Sequence, residues 1–121
     1  MRTRVNLGHA NAVPATATVR GGEILVSVAN RMTLNIDYTK GTETSLDIYL
    51  KFLDESGGDE VQQGAWSATA GVLSFTATKM RMTASGKYYA DVDVKGKIYA
   101  KIYVLGNGSV SGTYDLSYVL S

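Results

Sequence analysis

Residues 45–52, SLDIYLKF, alternate between two parities without a break. Leu46, Ile48, Leu50 and Phe52 fall on one, and Asp47, Tyr49 and Lys51 on the other. Successive side chains of a strand point to opposite faces, so this stretch predicts a strand with one face in a core. The same period two runs through Met32, Leu34, Ile36 and Tyr38, and through Tyr88, Ala90, Val92 and Val94. It returns in Ile98, Ala100, Ile102 and Val104, and in Tyr114, Leu116, Tyr118 and Leu120. No segment carries a helical stripe. Val, Ile, Thr and Tyr, which suit a pleated and half-buried surface, are frequent.

The punctuation between these runs fixes the rest. ATATVR (15–20) reads as a first strand that Gly21-Gly22 breaks, and EILVSV (23–28) as a second strand or its continuation. Ala29-Asn30 is a turn. Trp66 opens a short strand. In VLSFTATKMRMT (72–83) the apolar parity changes between Ala77 and Met80, which predicts a bulge near Thr78-Lys79. Ser85-Gly86 and Gly106–Gly108 are turns, and Lys95-Gly96 is a two-residue turn of hairpin type joining 87–94 to 97–104. About eight short strands joined by turns predict an all-β fold, an antiparallel β-sandwich of jelly-roll or immunoglobulin-like type. The division is an extended N-terminal arm, 1–12, and a single sandwich domain, 13–121. A free arm is poorly ordered unless something ties it down, so it is expected to pack on its own domain or on a neighbour.

Composition narrows the function. The chain has 121 residues, enough for one domain with its own core. It has no cysteine, which removes disulfides and thiolate metal sites and fits a reducing compartment or a particle assembled inside a cell. Twelve Lys and Arg stand against eleven Asp and Glu. A general nucleic-acid binder needs a basic excess, so none is expected as partner. The start, MRTRVNLGHANA, lacks the apolar stretch of a secretion signal, and no apolar run reaches the ~20 residues that cross a bilayer. No membrane partner is expected.

Two loops invite a chemical reading. TKGTET (39–44) has neither the glycine pattern of a phosphate loop nor a helix behind it. It reads as a strand-connecting corner, with Lys40 and Glu43 as an exposed pair worth about 0–1 kcal/mol. DESGGDEVQQG (54–64) carries Asp54, Glu55, Asp59 and Glu60, but its spacing matches no calcium loop, so it reads as an acidic solvated turn. No metal and no cofactor are expected. Catalysis is not expected either. The one histidine, His9, lies in the arm, no serine sits in a G-x-S-x-G elbow, and Asp91 with Asp93 reads as a solvated strand face.

LNIDYTKGTETSLDIYLKFLDESGG, then Trp66, then YYADVDVKGKIYAKIYV and GSVSGTYDLSYVL, together resemble small β-sandwich proteins of tailed bacteriophages. The elements that carry the resemblance are Tyr38–Ser45, Asp54–Gly58, Trp66, Lys97–Val104 and Gly108–Thr113. They span residues ~32–120 within the usual boundary error. This chain departs in its longer turn, Asp54–Gly64. The resemblance implies a virion component, a capsid decoration (cement) protein or a head or tail accessory. The implied partners are the major capsid protein, further copies of the chain, or both, with a trimer as the common form. The implied location is the capsid surface, reached by assembly in the host cytoplasm.

The residues allow two functional classes. For a decoration protein, the partner-binding candidates are Arg2 and Arg4 in the arm and Tyr49, Tyr99, Lys101 and Tyr103 on outward strand faces, because exposed aromatics are enriched at protein contacts. A tail or head–tail joining subunit is a close variant. For a carbohydrate-binding module, Tyr49, Tyr99 and Tyr103 are the platform, with Trp66 as a further candidate.

Overall fold

The computed structural model describes residues 3–69, 72–77 and 79–121, with backbone alone over 65–69 and 72–77. Arg2 and Thr78 lie outside the described residues. Twelve strands are described. They are β1 (Arg4–Asn6), β2 (Asn11–Ala12), β3 (Thr18–Leu25), β4 (Arg31–Thr39), β5 (Ser45–Leu53) and β6 (Val61–Gln62). The remainder are β7 (Gly64–Thr69), β8 (Val72–Ala77), β9 (Met80–Met82), β10 (Gly86–Asp93), β11 (Tyr99–Asn107) and β12 (Thr113–Leu120). Every pairing among them is antiparallel.

The strands form two main sheets. One runs β1–β12–β4–β10, with β2 beside β1 on the same edge of β12; the other runs β3–β11–β5–β6, with β9 beside β6 on the same edge of β5. Taken as eight strand positions, β1/β2 pairs β12, β3 pairs β11, β4 pairs β10, and β5 pairs β6/β9. That nesting is one long antiparallel ribbon. Rolling it up adds the pairings β12–β4 and β11–β5 and gives the strand order of a jelly roll. The topology left open between jelly roll and immunoglobulin-like is therefore the first. The hairpin β7–β8 is an insertion between β6 and β9, and among the described residues it pairs with neither sheet.

Three local expectations change. Residues 87–94 and 97–104 are not a hairpin, because β10 and β11 belong to different sheets and Lys95-Gly96 carries the chain across the sandwich. Gly21-Gly22 does not end a strand. It is a bulge inside β3, where residues 21–23 lie opposite Lys101 alone, and both glycines take the positive φ that such a bulge demands. Ile98 does not face the core but is 39% exposed, because its strand pairing begins only at Tyr99.

The core lies between the sheets. Met32, Leu34, Ile36 and Tyr38 of β4 meet Leu46, Ile48 and Leu50 of β5, Ile102 and Val104 of β11, and Tyr114 and Leu116 of β12. Each fully buried side chain of this size contributes about 1.5–3 kcal/mol. The N-terminal residues are tied to the same body. Arg4, Val5 and Asn6 pair Val119, Tyr118 and Ser117. Arg20 reaches from β3 to donate to the Leu7 carbonyl at 2.8 Å and to Asn11 Oδ1 at 2.7 Å, which closes that edge of the sandwich. Among the described residues no helix is long and apolar enough to cross a membrane.

Candidate interaction surfaces

The corner at 39–44 is built around an anion. Glu43 is fully buried, not half of a surface pair with Lys40. Its Oε2 accepts from the Tyr38 hydroxyl at 2.6 Å and from the Gly41 N–H at 2.7 Å. Its Oε1 accepts from the N–H groups of Ser111 and Gly112 at 3.0 and 2.9 Å. Burial alone would raise this carboxyl's pKa, yet the four hydrogen bonds outweigh it and hold the group down at about 2. The two corners that carry the ribbon between sheets, β4–β5 and β11–β12, are thus locked by one carboxylate. Burial, then the hydrogen bond to Glu43, pushes the Tyr38 hydroxyl in the opposite direction, upward.

The outer face of the β3–β11–β5 sheet holds four of the partner-binding candidates. Tyr49 and Tyr103 face each other in register across β5 and β11 and stack at 5.3 Å with rings 7° apart. Lys51 Nζ lies 4.7 Å from the Tyr103 ring centre and Lys79 Nζ lies 5.6 Å from that of Tyr49. Lys101 and Lys51 are opposite one another, a like-charge pair that Glu60 relieves from 3.8 Å on the Lys101 side. The Tyr103 hydroxyl also donates to Glu60. Burial, followed by that hydrogen bond, pushes Tyr103 up to about 12.

Part of this face is covered by the chain's own loop. The loop 54–60, expected as a solvated acidic turn, crosses from the end of β5 to β3. There the Ser56 hydroxyl and Gly57 N–H donate to Glu23 at 2.6 and 2.7 Å, while Glu60 holds Tyr103 and Lys101. Tyr49 is only 7% exposed as a result of its packing, so it is not the free ring that alternation alone predicts. Tyr49, Tyr99 and Tyr103 do not form an open coplanar platform: two of them stack face to face. The Trp66 side chain lies outside the described residues. Among the described residues no group of three or more His, Asp or Glu side chains could hold a metal.

Next to this cluster, Asp47 is buried and accepts from Arg81 through Nε at 2.8 Å and Nη2 at 2.9 Å, with Asn107 Nδ2 at 3.1 Å. The Arg81 fork is the main cause that holds the Asp47 carboxyl below its ordinary range.

The outer face of the other sheet is open. A groove of about 610 Å³ crosses it, lined by side chains of β1, β12, β4 and β10 and by the Gly8-His9 turn. Arg4 lies here. So does Tyr89, which is 84% exposed and was not among the partner-binding candidates. Its signal was present in Lys87, Tyr89 and Asp91, one aromatic among charges on the outward parity of β10.

The fold has a solved counterpart. The crystal structure of SPBc2 prophage-derived protein YomS superposes with a TM-score of 0.57 at 21% identity, over 99% of this chain and 92% of that one. The two share the β-sandwich fold. No family model matches the chain, and no curated protein does.

Proposed function

We propose that this chain is a structural protein of a bacteriophage particle, a decoration protein that sits on the outside of the head and reinforces the contacts between capsid subunits. The role is non-catalytic, and its partners are the major capsid protein and further copies of itself. The observation that carries the reading is the hairpin β7–β8. Among the described residues its backbone pairs only with itself, and residues 64–77 contain no Asp, Glu, Lys, Arg or His. A lone two-stranded ribbon is marginal in water, and an uncharged one inserted into an otherwise complete jelly roll is suited to lying against another protein. The prophage origin of YomS, similar over nearly its whole length, supports placing the chain in a phage context. Many weak contacts repeated over a lattice give such a protein its avidity.

Heads of a phage deleted for this chain test the reading. They are expected to assemble, to burst at lower temperature than complete heads, and to regain resistance when purified full-length chain is added. Replacement of residues 64–77 by a short Gly-Ser turn is expected to abolish that rescue. Heads of unchanged resistance that bind none of the added chain would overturn it.

A further inference from the structure

We propose that the open groove on the β1–β12–β4–β10 sheet is a binding site for a neutral glycan. The register builds it in two rows. Asn6, Ser117, Asn35 and Tyr89 lie side by side across all four strands. Asp115, Asp37 and Lys87 form the parallel row beside them. Neighbouring strands are ~4.8 Å apart and same-face rows ~7 Å, so the patch measures about 14 by 7 Å. That is an elongated, shallow floor suited to a short stretch of oligosaccharide.

The chemistry selects the ligand. An asparagine side chain presents a donor and an acceptor together, and a carboxylate presents acceptors, the pattern that paired sugar hydroxyls need. Among the described residues, the side chains of Asn6, Asn35, Asp37 and Lys87 bond to no other part of the chain, although Asp115 beside them is engaged by His9 Nδ1 at 2.8 Å and by the Ala10 N–H at 2.6 Å. Tyr89 ends the polar row with a ring left in water, available to the C–H face of a sugar. Asp37 and Asp115, opposite one another in the floor, stand against Arg4 and Lys87 in the same groove, so its charges balance and offer no net attraction to phosphate, sulfate or nucleic acid. On the opposite outer face Tyr103 and Lys101 are instead engaged by Glu60 of the 54–60 loop. The site is independent of the proposed capsid contact, which rests on the β7–β8 hairpin.

The test is a glycan array carrying neutral, sialylated and sulfated glycans, probed with the full-length chain. Any neutral hit is followed by amide chemical-shift titration with that oligosaccharide. The expected result is binding to neutral glycans only. Shifts should concentrate on Asn35, Asp37, Lys87, Tyr89 and Ser117, and Tyr89→Ala and Asn35→Ala should each weaken affinity about tenfold or more. Tyr89 is so exposed that its variant keeps the thermal midpoint of the parent, which separates lost binding from lost fold. No hit on the array, binding confined to anionic glycans, or shifts centred on Tyr99 and Tyr103 would each overturn the proposal.

Discussion

The Tyr38 hydroxyl donates a 2.6 Å hydrogen bond to the Glu43 carboxylate, and both groups are fully enclosed. Three backbone N–H groups complete the anion's shell, two of them from a turn nearly seventy residues away in sequence. A buried charge is tolerable only when its hydrogen-bonding capacity is filled, and here it is filled by the two corners it joins. Glu43→Gln turns an NH₂ toward donors and is expected to cost about 3 kcal/mol or more. Tyr38→Phe removes one charge-assisted bond and leaves three, for about 1.5–3 kcal/mol. Urea unfolding of the two variants checks the order.

The same shell makes a pH prediction. The Glu43 pKa falls from 4.5 in the unfolded chain to about 2 in the fold. A depressed carboxylate stabilises the fold in full above the unfolded value and loses that contribution as pH drops through the folded one. The lost contribution is roughly 3 kcal/mol, spread between pH 4.5 and 2. Unfolding free energy measured against pH should therefore fall more steeply in this window for the parent than for Glu43→Gln. Parallel curves for the two would remove Glu43 as the cause.

Gly112 is required by closeness and not by backbone angle. A Cβ there would stand 2.3 Å from Glu43 Oε2, 2.6 Å from the Thr39 carbonyl and 2.8 Å from the Gly41 nitrogen. Two of these are backbone atoms and the third is a carboxylate held by four bonds, so nothing nearby can yield cheaply. Gly112→Ala is expected to destabilise by about 2 kcal/mol or more, whereas Gly57→Ala, with open space around it, costs less than that from its positive φ alone. Thermal melts of the pair read the difference.

The loop over the second sheet is predicted to be a strap with two pins. Glu23→Ala removes both bonds that hold Ser56 and Gly57. Amide hydrogen exchange should then accelerate across 54–60 while β5 and β11, in the middle of their sheet, keep their protection. Tyr103→Phe should loosen the other end at Glu60 to a smaller extent, because Lys101 still faces that carboxylate from 3.8 Å. Unchanged exchange in the loop for both variants would mean that it is held by something else.

Much of the sandwich was legible because period two is local. Met32 to Tyr38 and Leu46 to Leu50 each state their buried face without help from the rest of the chain, and all are in the core. What pairs with what was not legible. Lys95-Gly96 carries the same local signal whether the chain turns back beside itself or crosses to the other sheet, and only the rolled topology decides. Glu43 was read as a surface charge because the donors that bury it, Ser111 and Gly112, are distant in sequence. Tyr49 and Tyr103 have the outward parity that was expected of them, but parity does not reveal that the two rings stack on each other or that Glu60 of the following loop holds Tyr103. Tyr89 has the same parity and nothing over it, and that contrast emerges only from the packed molecule.

The most direct test of the central proposal is cryo-electron microscopy of the phage particle that carries this chain. The account predicts density of jelly-roll size repeated at equivalent lattice points on the outside of the head, contacting more than one capsid subunit, with the β7–β8 hairpin in the contact. Density for the chain confined to the tail, or none on the particle at all, would contradict it.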